Sequence, residues 1–448
     1  MRVRPARAAL AAAALAVAAL GATGCDGSTS RGKRRISGGE LVVYTGVPLI
    51  GPTSADGRAV VRGERMALAA VHGRVGRYRI VLRARDDATR GSRGWNPGQT
   101  DTVATLAARD GRTIGYIGDL NSGASAVSLP ILNQAHIPQL SPLSTAVGLT
   151  RGGPEASPGE PEKYYPARTR TFARLVPNDT VQSAVQVALQ RQQGCQRIEV
   201  LYDGEFDGRD AAEAYEVAAR RAGLHVVGSD QVDPTAPGER SLVARLNSLS
   251  PDCVLVSALA QNHAAALADT VVDTLPGASV FVTAAAGEPA FVARRGGVEV
   301  GNDPQLTITE PTLGYGNYPP SGRRFLREFD HRYGSGAMEG IWGEAAMSLL
   351  LDAIRRASDD GGRDVTRTRV LHAIFATRDE PSVLGTYSIT PSGDTTIRRY
   401  GVYHVRDGHL VFWKAVRGRG RGLGAMRPSS ACETRTFAHA WCSGGTRG

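Results

Sequence analysis

Lysine is almost missing from this 448-residue chain: only Lys33, Lys163 and Lys414 occur among 53 basic side chains. The formal charge of +10 is therefore an arginine charge. Beside abundant alanine and glycine, that skew reads as the imprint of G+C-rich coding, not as a surface built for a polyanion. The basic runs at 31–35 and 417–421 are short, terminal and free of interleaved aromatics. They argue against nucleic acid as a partner and are better suited to an anionic membrane surface. None of the five cysteines shows a CxxC or Cys/His spacing, which argues against zinc and thiol chemistry. G-x-S-x-G, H-E-x-x-H and S-x-x-K are missing from any fitting context, and the nine histidines are scattered. An exported enzyme thus has no motif to stand on, and neither a cofactor nor a metal is expected. Gly418, Gly420, Gly422 and Gly424 after LVFWKAV imitate a dinucleotide turn, but too little chain follows to complete a βαβ unit. Beyond the first 25 residues no segment is apolar enough to span a bilayer.

What is present begins with an export signal. MRVRPARAALAAAALAVAALGATGC has a basic start, an Ala/Leu core and small residues before Cys25. The end of this run resembles a bacterial lipoprotein cleavage box, with Cys25 as the lipid-bearing N-terminus; it departs from the usual box in having Ala22 where leucine is preferred. Plain secretion is the alternative. Residues 26–40 have the composition of a flexible tether. The other four cysteines, an even number in an exported chain, fit two disulfides. Cys195 precedes RIEVLYD and Cys253 opens VLVSA, so a 195–253 bridge is feasible if those strands are neighbours; Cys432 and Cys442 would then close a small loop in the tail.

Apolar segments of strand and helix period alternate from Leu41 to Thr283 almost without a break. Strands are expected near 41–46, 78–83, 113–118, 137–140, 197–202, 225–232, 253–257 and 279–283, with helices between them. Such alternation predicts parallel sheets covered on both faces. Two successive series predict an α/β protein of two doubly wound lobes joined by a hinge of several crossings. The Pro/Gly-rich stretch 151–170 marks the first crossing. Long helices follow near 322–333, 338–357 and 365–377, expected to return to the first lobe, with LGTYSI and GVYHV expected in the second. The predicted division is 41–172 plus 311–380 for the first lobe, 173–310 plus 381–416 for the second, and a basic Gly/Arg tail at 417–448.

The most informative stretch is TIGYIGDLNSGASAVSLPILNQAHIPQLSPLST, residues 113–145. A strand ending at Gly118, then Asn121-Ser122-Gly123, then a helix to Gln134 places Ser122 at a helix N-terminus, where free amides and the helix dipole favour an anion. Ser141 to Thr145 supplies a second hydroxyl-bearing turn at the end of the next strand. In a parallel sheet both turns lie at the carboxyl ends of strands, where small ligands bind. Hydroxyls and amides without a base suit holding a ligand, not transforming it.

Several pieces in order then carry a resemblance: GVPLIGPTSADGRAVVRGERMALAAV, RARDDAT, YIGDLNSGAS, IPQLSPLST, TFARLVPND and LYDGEFDGRDAAEAY. From about Leu41 to Val416 the chain resembles the type 1 periplasmic-binding-protein-like family, in its branched-chain amino acid (Leu/Ile/Val) class, the solute receptors of ABC importers. The resemblance implies a two-lobed clam that closes on a small ligand and delivers it to a membrane permease, working as a monomer outside the cytoplasm. It implies that the ligand carboxylate is held by Ser122, the backbone at Leu143, and the hydroxyl and amide at Thr145, with Ser144 beside them. Phe206 stands where the family places a covering aromatic. The positions of the ammonium-binding tyrosine and acid fall on Leu259 and Ala284 to Ala286, so both polar partners are missing unless Glu288 substitutes. A buried ammonium without a counter-charge costs several kcal/mol, so the aligned site would reject a zwitterion. Asp56 and Asn121 fall where the family often has apolar caps, beside Leu120 and Trp342, which suggests a polar ligand. An amino acid, an amide or an organic acid is expected. The rivals are a sensory lobe for a signalling partner and a copy that no longer binds.

Overall fold

The computed structural model describes residues 36, 38–233, 240–284, 289–292, 297–298, 305–359, 364–419 and 422–425. Strands β1 (Glu40–Val47), β4 (Thr113–Ile117) and β9 (Cys253–Ser257) are buried along nearly their whole length. Such strands need cover on both faces, and parallel α/β sheets provide it. The first sheet adds β2 (Arg74–Val75), β3 (Tyr78–Asp86), β5 (Gln139–Ser141) and β6 (Phe172–Arg174) in the order β2-β3-β1-β4-β5-β6. Only the short β2 runs antiparallel to its neighbour. Around this sheet lie α1 (Ser54–Ala70), α2 (Pro97–Arg109) and α3 (Ser122–Gln134). The start of α2 is specified locally: Pro97 takes the first helical position and the Asn96 side chain accepts from the Gln99 amide.

The second sheet repeats the same winding with β7 (Arg197–Tyr202), β8 (His225–Gln231), β9, β10 (Ser279–Val282) and β11 (Leu306–Glu310), in the parallel order β8-β7-β9-β10-β11. It is flanked by α4 (Asp179–Gln193), α5 (Phe206–Arg221), α6 (Arg240–Leu249) and α7 (Ala264–Thr274). Helix α4 stops at Gly194, whose φ of 88° only glycine adopts readily. Because β7 and β9 are neighbours, Cys195 and Cys253 meet, and they form the expected disulfide with 5.8 Å between Cα atoms. Cys25, Cys432, Cys442 and Glu288 lie outside the described residues. No described helix is long and apolar enough to cross a membrane.

Helices α8 (Pro320–Tyr333), α9 (Ala337–Asp359) and α10 (Arg367–Phe375) return to the first lobe, where Phe325, Ile341, Leu350 and Ile374 pack with Leu41, Val43 and Ile114. The α1–α9 seam is close enough to exclude side chains. A Cβ on Gly63 would lie 1.9 Å from the Gly340 carbonyl oxygen, and one on Gly343 would lie 2.1 Å from that of Val60.

Three expectations are corrected. Ala173 and Arg174, assigned from sequence to the second lobe, instead belong with Phe172 to β6, which completes the first sheet by pairing with Gln139–Ser141. LGTYSI, expected as a strand of the second lobe, makes only isolated bridges (Glu380 with Tyr387, Ile389 with Thr395), and its apolar side chains Leu384, Tyr387 and Ile389 lie in the core of the first lobe. Having no sheet partner, the segment is held by packing. The chain therefore passes from the first lobe to the second sheet just before β12 (Arg399–Arg406). Finally, the second sheet continues as an antiparallel set, β12, β13 (His409–Arg419) and β14 (Gly422–Ala425), so the start of the expected tail is strand. The first crossing is clamped by Arg174, which is fully buried. Its Nε lies 2.9 Å from Asp394 Oδ1, and it donates to the Ser144 carbonyl (2.9 Å) and Thr150 Oγ1 (2.6 Å). Burial pushes the Asp394 carboxyl up, but Arg174 and Arg151 outweigh it and hold the group below the usual carboxylate range.

Candidate functional site

Because both sheets are doubly wound, the loops at the carboxyl ends of their strands face one another across the hinge. They enclose a cavity of about 160 Å³. The first lobe supplies Thr53 and Asp56 after β1, Leu120 and Asn121 after β4, Leu143 and Thr145 after β5, and Met338, Glu339 and Trp342 from α9. The second lobe and its crossings supply Asp179 and Gln182 from α4, Asp207 from α5, Leu259 after β9, Thr283 after β10, and Glu310 at the end of β11 with Pro311 and Thr312 beyond it.

The loop before α3 rests on a buried network. Asp119 accepts from Tyr116 Oη (2.8 Å) and Ser128 Oγ (2.5 Å), while its carbonyl accepts from Ser141 Oγ (2.7 Å) and Ser144 Oγ (3.0 Å). On this base, Ser122 Oγ accepts from the Thr145 amide (3.0 Å) and the Ala146 amide (3.1 Å), which ties the two turns together. The free amides at the start of α3 do hold a carboxylate, and it belongs to the protein. Asp207 reaches across from the second lobe and accepts from Ser122 N–H at 2.8 Å and from Gly123 N–H at 3.4 Å. Nearby, Asp210 accepts from the Val147 amide at 3.0 Å.

The chain folds as two such lobes around a cleft, and residues 46–409 match the family model described as periplasmic binding protein. The chain belongs to that family. No curated protein sequence matches this periplasmic binding protein. Among solved structures it is similar to the leucine-binding protein LivK of Thermotoga maritima, with 19% identity, 84% of this chain and 99% of that one covered, and a TM-score of 0.69. It is also similar to a solute-binding protein of an ABC transporter from Rhodopseudomonas palustris in complex with p-hydroxybenzoic acid (16%, 85% and 98% covered, TM-score 0.69). A third is the branched-chain amino acid transporter substrate-binding protein LivJ of Streptococcus pneumoniae in complex with isoleucine (13%, 86% and 100% covered, TM-score 0.67). At these identities the likeness shows the fold.

Of the residues singled out from sequence, this binding protein brings Asp56, Asn121, Leu143, Thr145, Leu259 and Trp342 to the cavity wall. Ser122 and Ser144 are fully buried beneath the wall, their hydroxyls committed to backbone amides and to the Asp119 carbonyl. The Thr145 amide is likewise committed, to Ser122, and its hydroxyl interacts with Asp179. Phe206 packs against the cluster of Leu129, Leu149 and Tyr165 instead of covering the cavity. Leu259 contributes apolar wall, while its amide donates to Asp203 Oδ2 at 2.8 Å. Ala284 does line the cavity, so no acid stands at that place.

The residues that sequence reasoning missed are carboxylates. Asp179, Asp207, Glu310 and Glu339 join Asp56 in the wall, and among the described residues no lysine, arginine or histidine lines the cavity. Burial, and after it the charge of Asp56, push the Glu339 carboxyl up to about 8. Burial pushes Asp179 up to about 7, against the Thr145 hydroxyl and the Arg174 charge, with Asp207 adding repulsion. Burial also raises Asp207, tempered by the Ser122 and Gly123 amides.

Proposed function

We propose that this protein is the solute receptor of an ABC importer, capturing a small polar solute between its lobes and presenting the closed form to a membrane permease. The observation that carries this reading is the cavity itself, lined from both lobes at the carboxyl ends of two doubly wound sheets. A ligand touching both walls stabilises the closed form by its differential affinity for it. The protein works outside the cytoplasm as a monomer, held to the membrane through Cys25. The expectation that Ser122, Leu143 and Thr145 receive a ligand carboxylate is not carried forward, since Asp207 already occupies the α3 amides. A sensory role would use the same closure, but nothing in the cleft favours it. The test is small-angle scattering with and without solutes drawn from amines, amides, amino acids and organic acids. A saturating solute should reduce the radius of gyration and, at about a hundredfold over Kd, stabilise the fold by about 2.7 kcal/mol. Binding that leaves the scattering unchanged would refute capture by closure.

A further inference from the structure

The chain leaves the first sheet after β5 and rejoins it at β6, so the Pro/Gly-rich stretch 151–170 between them is an excursion within one lobe and carries no hinge strand. It is fastened to that lobe at several points. The buried Asn133 of α3 donates through Nδ2 to the Thr169 carbonyl (2.7 Å) and accepts through Oδ1 from the Ala167 amide (2.8 Å), while Tyr165 Oη donates to the Leu149 carbonyl (2.7 Å). Glu160, 6% exposed, accepts from the Ser157 amide (2.9 Å) and from Tyr164 Oη (2.6 Å), and pairs with Lys163 Nζ at 2.9 Å. Such anchoring fixes what the stretch presents on its other side.

There it meets α5, a helix of the second lobe. Phe206, the first residue of α5, packs against the cluster that Tyr164 and Tyr165 of the stretch form with Leu129 and Leu149. Arg221, the last, pairs with Glu155. Between them Asp210 accepts from the amide of Val147, just ahead of the stretch, at 3.0 Å. At about 100° per residue the three helix positions fall within about 60° of one another, and at about 1.5 Å per residue they span about 22 Å, the full length of α5. Glu155, Tyr164, Tyr165, Phe206, Asp210 and Arg221 all lie outside the cavity lining, so this seam joins the lobes without the help of a solute. We propose that residues 151–170 form a strap that catches one face of α5 and draws the lobes together before solute arrives, so that the solute completes a closure the protein has begun. Contacts between the lobes exist only where the lobes meet, so each adds to the closed form and nothing to the open one. A more populated closed form raises apparent affinity without changing which solute is preferred. Phe206 is half-buried, and loss of its side chain removes about half of a full phenylalanine burial, which corresponds to about a tenfold shift toward the open form.

The test is hydrogen exchange in the full chain, unfolded and refolded without reductant to strip any copurified solute, and read at single amides by fragmentation in the mass spectrometer. The Ser122 and Val147 amides are bonded across the lobes, to Asp207 and Asp210, whereas the Thr145 and Ala146 amides are bonded within the first lobe, to Ser122 Oγ. Exchange at the first pair reports parting of the lobes, and exchange at the second reports opening of the first lobe itself. Phe206→Ala should speed exchange at Ser122 and Val147 by about tenfold and leave Thr145 and Ala146 as in wild type. Glu155→Arg and Arg221→Glu should each speed the same two amides by up to about fivefold, as befits a surface ion pair, and the double variant should return toward wild type. Rates at Ser122 and Val147 that Phe206→Ala leaves unchanged, or that in wild type already equal those of unbonded amides, would overturn the strap. A rise shared by all four amides would trace the effect to the first lobe and also overturn it, as would a double variant no closer to wild type than its two parents. The readout needs no solute, so this inference stands or falls apart from the identity of the guest.

Discussion

Asp207 spans the cleft, and removing it tests how the two lobes are held. In Asp207→Ala the Ser122 and Gly123 amides lose their carboxylate. A hydrogen bond to a charged group contributes about 1.5–3 kcal/mol, and a carboxylate at a helix N-terminus a further ~0.3–1 kcal/mol. The 3.4 Å bond is weak and Asp207 is only half-buried, so the expected loss is about 2 kcal/mol, most of it in the closed arrangement. That energy corresponds to about a thirtyfold fall in the ratio of closed to open molecules. The vacated amides should then accept a small carboxylate from solution. If acetate binds the variant with Kd near ~10 mM, 100 mM acetate restores about 1.4 kcal/mol, read as a rise in melting temperature over a matched chloride control. Wild type should show no such acetate effect. An acetate response equal in the two proteins, or a variant as stable and as closed as wild type by scattering, would refute the account of Asp207 as the occupant of the anion site.

Glu64 is fully buried beneath β1, accepts from Thr45 Oγ1 at 2.8 Å, and is pushed up to about 8 by burial, against the lowering by Thr45 and Arg65. Between about pH 4.5 and 8 the folded state therefore holds a proton that the unfolded state releases, so stability falls as pH rises through that window. Glu64→Gln should match wild type near pH 5 and exceed it by roughly 2–4 kcal/mol at pH 9, measured by urea melts. A difference independent of pH would show that the side chain is not titrating. The Cys195–Cys253 bridge closes a loop of sequence separation 58. Replacing both cysteines by alanine should lower stability by about 4 kcal/mol, chiefly through the unfolded chain. Unaltered denaturant midpoints would mean that the bridge does not constrain that chain.

The alternation that revealed two doubly wound lobes was visible because strands such as CVLVS are apolar over four consecutive residues and the helices between them keep one apolar face. Short or unpatterned pieces were not visible in this way. Three residues, Phe172–Arg174, offer no period, and LGTYSI reads as a strand although its apolar side chains fill a core without joining a sheet. The helix start at Ser122 was legible from local signals alone, and its amides donate to Asp207. What fills it lies 85 residues away in sequence and on the other lobe, beyond any local pattern. The same holds for Glu339, which by itself is an ordinary acid in the first turn of a long helix. Only the packing of α9 on α1 carries it to the cavity.

That packing depends on backbone touching backbone at Gly63, Gly340 and Gly343, while Met338, Glu339 and Trp342 extend from the same end of α9 into the cavity. A methyl group added at Gly63 would push α9 outward and carry all three wall residues with it. The width of the cavity is therefore addressable from a position outside its lining: the seam sets the gauge, and Met338, Glu339 and Trp342 inherit it.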